Sequence, residues 1–144
     1  MKFWDSSALV PLLFREASSS RMERELAADP EVGVWCLASA EIWSAACRRR
    51  REGIVDSPGM RTARARLHDL AGSWLEIDDV PAVRSRALRL LETHDLRAGD
   101  ALQLAAALVL VSDHPDRLPF VTLDGRLAAA AEQEGFEVRG VTPE

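Results

Sequence analysis

The sequence predicts an α/β fold in which a parallel sheet is sandwiched between helices, and three observations carry that prediction. Short apolar runs alternate with helical segments along the whole chain, the order that builds a parallel sheet. The runs are continuously apolar rather than alternating, as in "VGVWCL" (32–37), so both sheet faces are covered. One segment, "ALQLAAALVLV" (101–111), is apolar nearly all round, the mark of a buried central helix.

The elements follow in order. Residues 2–4 ("KFW") read as the first strand. Ser6 or Ser7 caps a helix over 8–14, in which Pro11 removes a hydrogen bond or bends the axis. A second helix covers 17–28 and stops at Asp29-Pro30. The strand 32–37 leads through Ser39 into a helix that runs to Arg51 and stops at Gly53. "DSPGMRTARARLHDLAG" (56–72) supplies a cap, an early proline and an amphipathic helix. "SWLEI" (73–77) is a short strand. Asp79 then caps a helix over 81–94 whose apolar face is expected to hold Val83, Ala87, Leu88 and Leu91. Gly99-Asp100 opens the buried helix. "LPFVTL" (118–123) is a strand, followed by Asp124-Gly125 and an alanine-rich helix to Glu134. "FEVRGV" (136–141) closes the sheet. No repeat, low-complexity stretch or linker interrupts this pattern, so residues 1–144 are expected to form one domain.

Composition narrows the function classes. The net charge is −5, which argues against a protein held to nucleic acid by bulk charge alone. The longest apolar run, 104–111, is far short of the ~20 residues a membrane span needs. The N-terminus, interrupted by Asp5 and Pro11, is a poor signal peptide. Cys36 and Cys47 make no disulfide framework and are expected to be reduced and buried, in a cytoplasmic protein. His68, His94 and His114 lack ligand spacing, and the tryptophans at 4, 35, 43 and 74 read as core.

The chemistry lies in the carboxylates. In parallel sheets, ligands bind beyond the carboxyl ends of the strands. Asp5 follows the first strand and Asp124 follows "FVTL"; Asp100 opens the buried helix, and Glu41 sits in the first turn after "VGVWCL". On this layout all four point into one crevice. Glu41 has Leu37, Ala38 and Ala45 as helical neighbours, so its charge needs a partner. Lys2 is the only lysine, so few cations are at hand. Clustered carboxylates repel one another unless a divalent cation balances them, and oxygen donors without His or Cys favour Mg²⁺ or Mn²⁺ over Zn²⁺. Helix capping explains part of each position, but capping and ligation are not exclusive. "CRRRREG" brings Arg48, Arg49, Arg50 and Arg51, with Arg61, Arg64 and Arg66 beyond, as candidate phosphate contacts. Four successive helical positions cannot all face one ligand, and such a run also suits a helix C-terminus.

The stretches "FWDSSALV", "ASAEIWSA", "LRAGDALQLAAAL" and "FVTLDGRLAAAAEQEGFEV" resemble the PIN-domain nucleases, and more narrowly the VapC-type toxins of bacterial toxin–antitoxin pairs. The resemblance implies a parallel α/β/α sandwich and a metal-dependent ribonuclease that leaves 5′-phosphate and 3′-hydroxyl ends. It carries over Asp5, Glu41, Asp100 and Asp124 as the acidic site, with Ser7 and Thr122 as supporting hydroxyls. It also implies a homodimer and a cognate antitoxin. Two rival chemistries fit less well. A haloacid-dehalogenase-type phosphatase needs an Asp where Ser7 stands, and a phosphoacceptor receiver needs a late lysine. A non-catalytic RNA- or partner-binding module on the same scaffold is the alternative.

Overall fold

β1 (Lys2–Trp4) forms the middle of the sheet in the computed structural model, which describes residues 1–142. β2 (Val32–Trp35) and β3 (Leu75–Ile77) lie on one side of it. β4 (Phe120–Val121) and β5 (Val138–Arg139) lie on the other. The order is β3-β2-β1-β4-β5 and every pairing is parallel, which is the α/β parallel-sheet sandwich the sequence predicts. The chain leaves β1 through β2 to β3, then crosses back to β4 on the opposite flank. The carboxyl ends of β1 and β4 therefore border the topological switch point, where such sheets open a crevice.

Side-chain alternation along β1 divides the core in two. Phe3 packs towards α5 (Val80–Thr93), α6 (Ala98–Leu110) and α7 (Gly125–Glu134), and its ring stacks on Phe120 at 5.4 Å. Trp4 packs towards α1 (Ser6–Leu9), α2 (Ser19–Ala28), α3 (Ala38–Arg51) and α4 (Ser57–Ala71). α6 is buried along most of its length, from Gln103 through Leu108. Its small alanines and Gly33 of β2 allow a close approach: a Cβ on Gly33 would stand 2.9 Å from Leu110 Cδ2.

Several boundaries differ from the sequence reading, each for a local reason. The expected helix over 8–14 begins earlier as α1 and tightens into a 3₁₀ turn at Val10–Leu12, where Pro11 cannot donate a backbone hydrogen bond. The strands after 118 and 136 shorten to two residues each, because parallel pairing lasts only where a neighbour is in register. On α5 the buried stripe is Val83, Ala87 and Leu90. Leu88 and Leu91 are 62% and 38% exposed. At 3.6 residues per turn Leu90 returns to within about 20° of Val83, whereas Leu88 lies roughly 140° away. Cys36 and Cys47 are free but only half-buried. Trp43 is also half-buried, unlike Trp4, Trp35 and Trp74. No helix among the described residues is long and apolar enough to cross a membrane.

Candidate active site

Asp5 stands one residue past β1, where the strand must end and its backbone still bonds to Val121 O (2.9 Å). Its side chain caps α1 and is nearly enclosed, at 4% exposure. Oδ2 accepts from Thr122 Oγ1 (2.9 Å), from Ser7 Oγ and from Ser7 N (3.3 Å). Both hydroxyls are themselves anchored: Leu123 N donates to Ser7 Oγ (3.0 Å) and Asp124 N donates to Thr122 Oγ1 (3.0 Å). Ser7 and Thr122 thus tie the end of β1 to the end of β4 through one carboxylate oxygen. Oδ1 accepts no hydrogen bond from the described residues.

Glu41 enters from the first turn of α3. Its Oε2 accepts from Gln103 Nε2 (2.7 Å) and Ser6 Oγ (2.9 Å), and Gln103 Nε2 also donates to Ser6 Oγ (2.8 Å). Its Oε1 lies 3.9 Å from the place a Cβ on Gly99 would occupy, so Glu41 reaches the first turn of α6 beside Asp100. Asp124 caps α7, with Oδ1 accepting from Arg126 N (2.9 Å) and Leu127 N (3.1 Å). The Asp100 carboxylate accepts no hydrogen bond from the described residues. Asp100 and Asp124 line a crevice of about 640 Å³ together with Arg97, Gly99, Gly125 and Arg126.

The electrostatics follow from this crowding. Burial pushes the Asp5 carboxyl up to about 6; the Ser7 and Thr122 hydrogen bonds oppose the rise, and the charges of Asp100 and Glu41 add to it. Asp100 is also raised, first by burial, then by Asp124 and Glu41, with Arg97 opposing. Among the described residues, no three His, Cys, Asp or Glu side chains are placed so that together they could hold a metal ion. The donor set nevertheless suits a hard divalent cation. It is oxygen alone, it carries unbalanced negative charge, and each of the four carboxylates keeps an oxygen free of protein hydrogen bonds. In Asp5, Glu41 and Asp124 the other oxygen is fixed by the fold.

Some residues in this arrangement escape the sequence reading. Ser6 and Gln103 hold Glu41, and Arg97 and Arg126 stand on the rim. Gln103 left a signal, as the one polar side chain in the apolar stretch 101–111. The run at 48–51 lies at the C-terminal end of α3, away from Glu41 at its start. Arg49 is engaged elsewhere: it pairs with Glu16 (2.6 Å) and lies over the Phe14 ring at 5.7 Å. Arg48, Arg50 and Arg51 are exposed. His94 bonds to Glu134 (2.7 Å), a structural contact.

A family model for the PIN domain matches residues 2–133. A search among curated proteins finds no match.

Proposed function

The chain belongs to the PIN-domain family, and from that premise we propose that it is a ribonuclease dependent on Mg²⁺ or Mn²⁺, working as the VapC-type toxin of a toxin–antitoxin pair. PIN domains are generally nucleases that use divalent metals, so hydrolysis of a nucleic-acid phosphodiester is the premise. RNA, the particular ion and the toxin role are the proposal. The observation that carries it is the unbalanced set of carboxylates at the sheet's switch point, with Asp5 and Asp100 both raised above the ordinary carboxylate range.

In this mechanism Asp5, Glu41, Asp100 and Asp124 hold the cation. When bound, the ion lowers the pKa of a water and neutralises charge on the phosphate oxygens. Ser7 and Thr122 fix the orientation of Asp5 by holding its Oδ2 and leaving Oδ1 free. Ser6 and Gln103 do the same for Glu41. Arg97 and Arg126, on the crevice rim, offset the repulsion that an acidic pocket exerts on an incoming phosphate and orient the strand. The active chain is a homodimer in the cytoplasm, restrained by its antitoxin.

The test is RNA cleavage with Mg²⁺, with Mn²⁺ and with EDTA. Cleavage is expected only with the ions. Asp5→Asn and Asp100→Asn are expected to lose more than the roughly 10–100-fold that a supporting residue costs, with the fold retained by circular dichroism. Tight RNA binding without cleavage in every metal would instead favour the binding-module alternative. A small reading frame directly upstream, encoding a DNA-binding N-terminus, is the expected genomic sign of the toxin role.

A further inference from the structure

The groove between α3 and α4 differs in charge from the crevice at the acidic site, which Asp100 and Asp124 line. Some arginines elsewhere are tied to acids, as Arg15 is to Glu23, Arg86 to Asp113, Arg89 to Glu134 and Arg139 to Glu25. The groove, a cavity of about 380 Å³, has no carboxylate in its wall. Trp43, Cys47 and Arg50 line it from α3; Ser57, Arg61 and Arg64, with Met60 between them, line it from α4. Trp43, Cys47 and Arg50, and likewise Ser57, Arg61 and Arg64, follow the i, i+4, i+7 spacing of a single helix face, so the two helices set three arginines around one aromatic ring. Among the described residues, Arg50, Arg61 and Arg64 make no ion pair. Arg64 instead lies over the Trp43 ring at 5.2 Å.

We infer that this groove holds a single-stranded segment of the RNA substrate, with phosphates on Arg50, Arg61 and Arg64 and a base against Trp43. The inference rests on the nuclease reading above. Three guanidinium forks without acids suit a run of phosphates. An aromatic ring backed by arginine is a platform on which a base of any sequence stacks. Arg97 and Arg126 are the only cations lining the acidic crevice, so a grip on more of the RNA comes from outside it.

The groove is separate from the reacting site. Trp43 follows Glu41 by two residues, so the two side chains leave α3 about 160° apart, on nearly opposite sides of the helix. A strand passing from one to the other crosses the first turn of α3, where Leu37 supplies no side-chain cap to the free backbone N–H groups. That end of a helix favours an anion.

Binding of a short mixed-sequence RNA in EDTA, followed by tryptophan fluorescence across a salt series, tests the inference. Trp43 is the one tryptophan that is not buried, so quenching on binding is expected in the intact protein and is expected to vanish in Trp43→Phe. The triple variant Arg50→Ala, Arg61→Ala, Arg64→Ala is expected to flatten the slope of log K against log salt by about 2, at about 0.7 per phosphate of a single strand. Replacing the same arginines with lysine should keep most of the slope. An unchanged slope in the alanine variant, or quenching that survives Trp43→Phe, overturns the inference. Displacement of the RNA by poly-glutamate that retains the full arginine dependence also overturns it, in favour of an acidic protein partner. The two readings fail separately. Arginine-dependent binding without cleavage in Mn²⁺ would sink the nuclease and leave the groove standing. Cleavage with an unaltered slope would do the reverse.

Discussion

Gln103 shows how much one buried side chain can govern. It is fully enclosed, and its Nε2 is shared between Glu41 Oε2 and Ser6 Oγ. Its Oε1 has no partner. An amide kept in an apolar helix with one atom unsatisfied carries a cost on the order of 1–3 kcal/mol. Gln103→Leu is therefore expected to leave thermal stability nearly unchanged, since the orphaned oxygen goes with the lost donor. The same change frees Glu41 to swing away from Asp100 and is expected to weaken Mn²⁺ binding by about 10–100-fold. Calorimetric Mn²⁺ titration decides: an affinity equal to that of the native protein would show that Glu41 does not depend on Gln103. At this scale the sequence exposes types more readily than partners. "DALQLA" displays a polar residue out of place, and Asp5 a charge ending an apolar strand. Which of Ser6 and Ser7 bonds Asp5, and which bonds Glu41, depends on the turn of α1 and is invisible before the chain is folded.

Among the elements, the short strands β4 and β5 do most to position the acidic edge. Thr122 N donates to Arg139 O (3.0 Å), and the chain then turns at Gly140 with φ +105°. A Cβ there would fall 2.5 Å from Thr122 O, against backbone that cannot step aside. Gly140→Ala is expected to destabilise the protein by roughly 1–3 kcal/mol and to shift Thr122, whose hydroxyl holds both Asp5 and the Asp124 backbone. Urea unfolding and metal-dependent cleavage measured together check this. A native-like unfolding midpoint would mean that the turn yields without disturbing β4. Element type was legible in the sequence because the short continuous apolar runs, the 3.6-residue period and the Gly, Pro and Asp boundaries agreed. Element ends were less so. The strand at 118–123 shrank to two paired residues because neighbours β1 and β5 offer no more register. The buried stripe of α5 rotated from Leu88 and Leu91 to Leu90 because helix phase, not hydrophobicity alone, chooses the face.

Over the whole molecule, two populations of carboxylates pull stability in opposite directions with pH. Burial raises Glu25 and Glu134, but Lys2 with Arg139, and Arg89 with His94, outweigh it and hold both below the ordinary range. Their contribution is present above the unfolded-state value and is lost as acid drives pH down through the folded one. Asp5 behaves oppositely. Between its ordinary value of 3.8 and about 6 the folded protein keeps a proton that the unfolded chain has released. Stability then falls as pH rises through that window, and a shift of about two units costs on the order of 3 kcal/mol once Asp5 is ionised. Asp100, also raised, adds in the same direction. In EDTA the melting temperature of the native protein is therefore expected to decline from about pH 5 to pH 7.5, and Asp5→Asn is expected to remove much of that decline. The variant should then melt above the native protein at neutral pH, the reverse of what loss of a structural residue would do. Mn²⁺ should raise the native melting temperature at pH 7.5 and do far less for Asp5→Asn. A flat native profile in EDTA, or a variant that melts lower at neutral pH, would show that the Asp5 charge is already compensated within the fold and that no cation is needed to balance it.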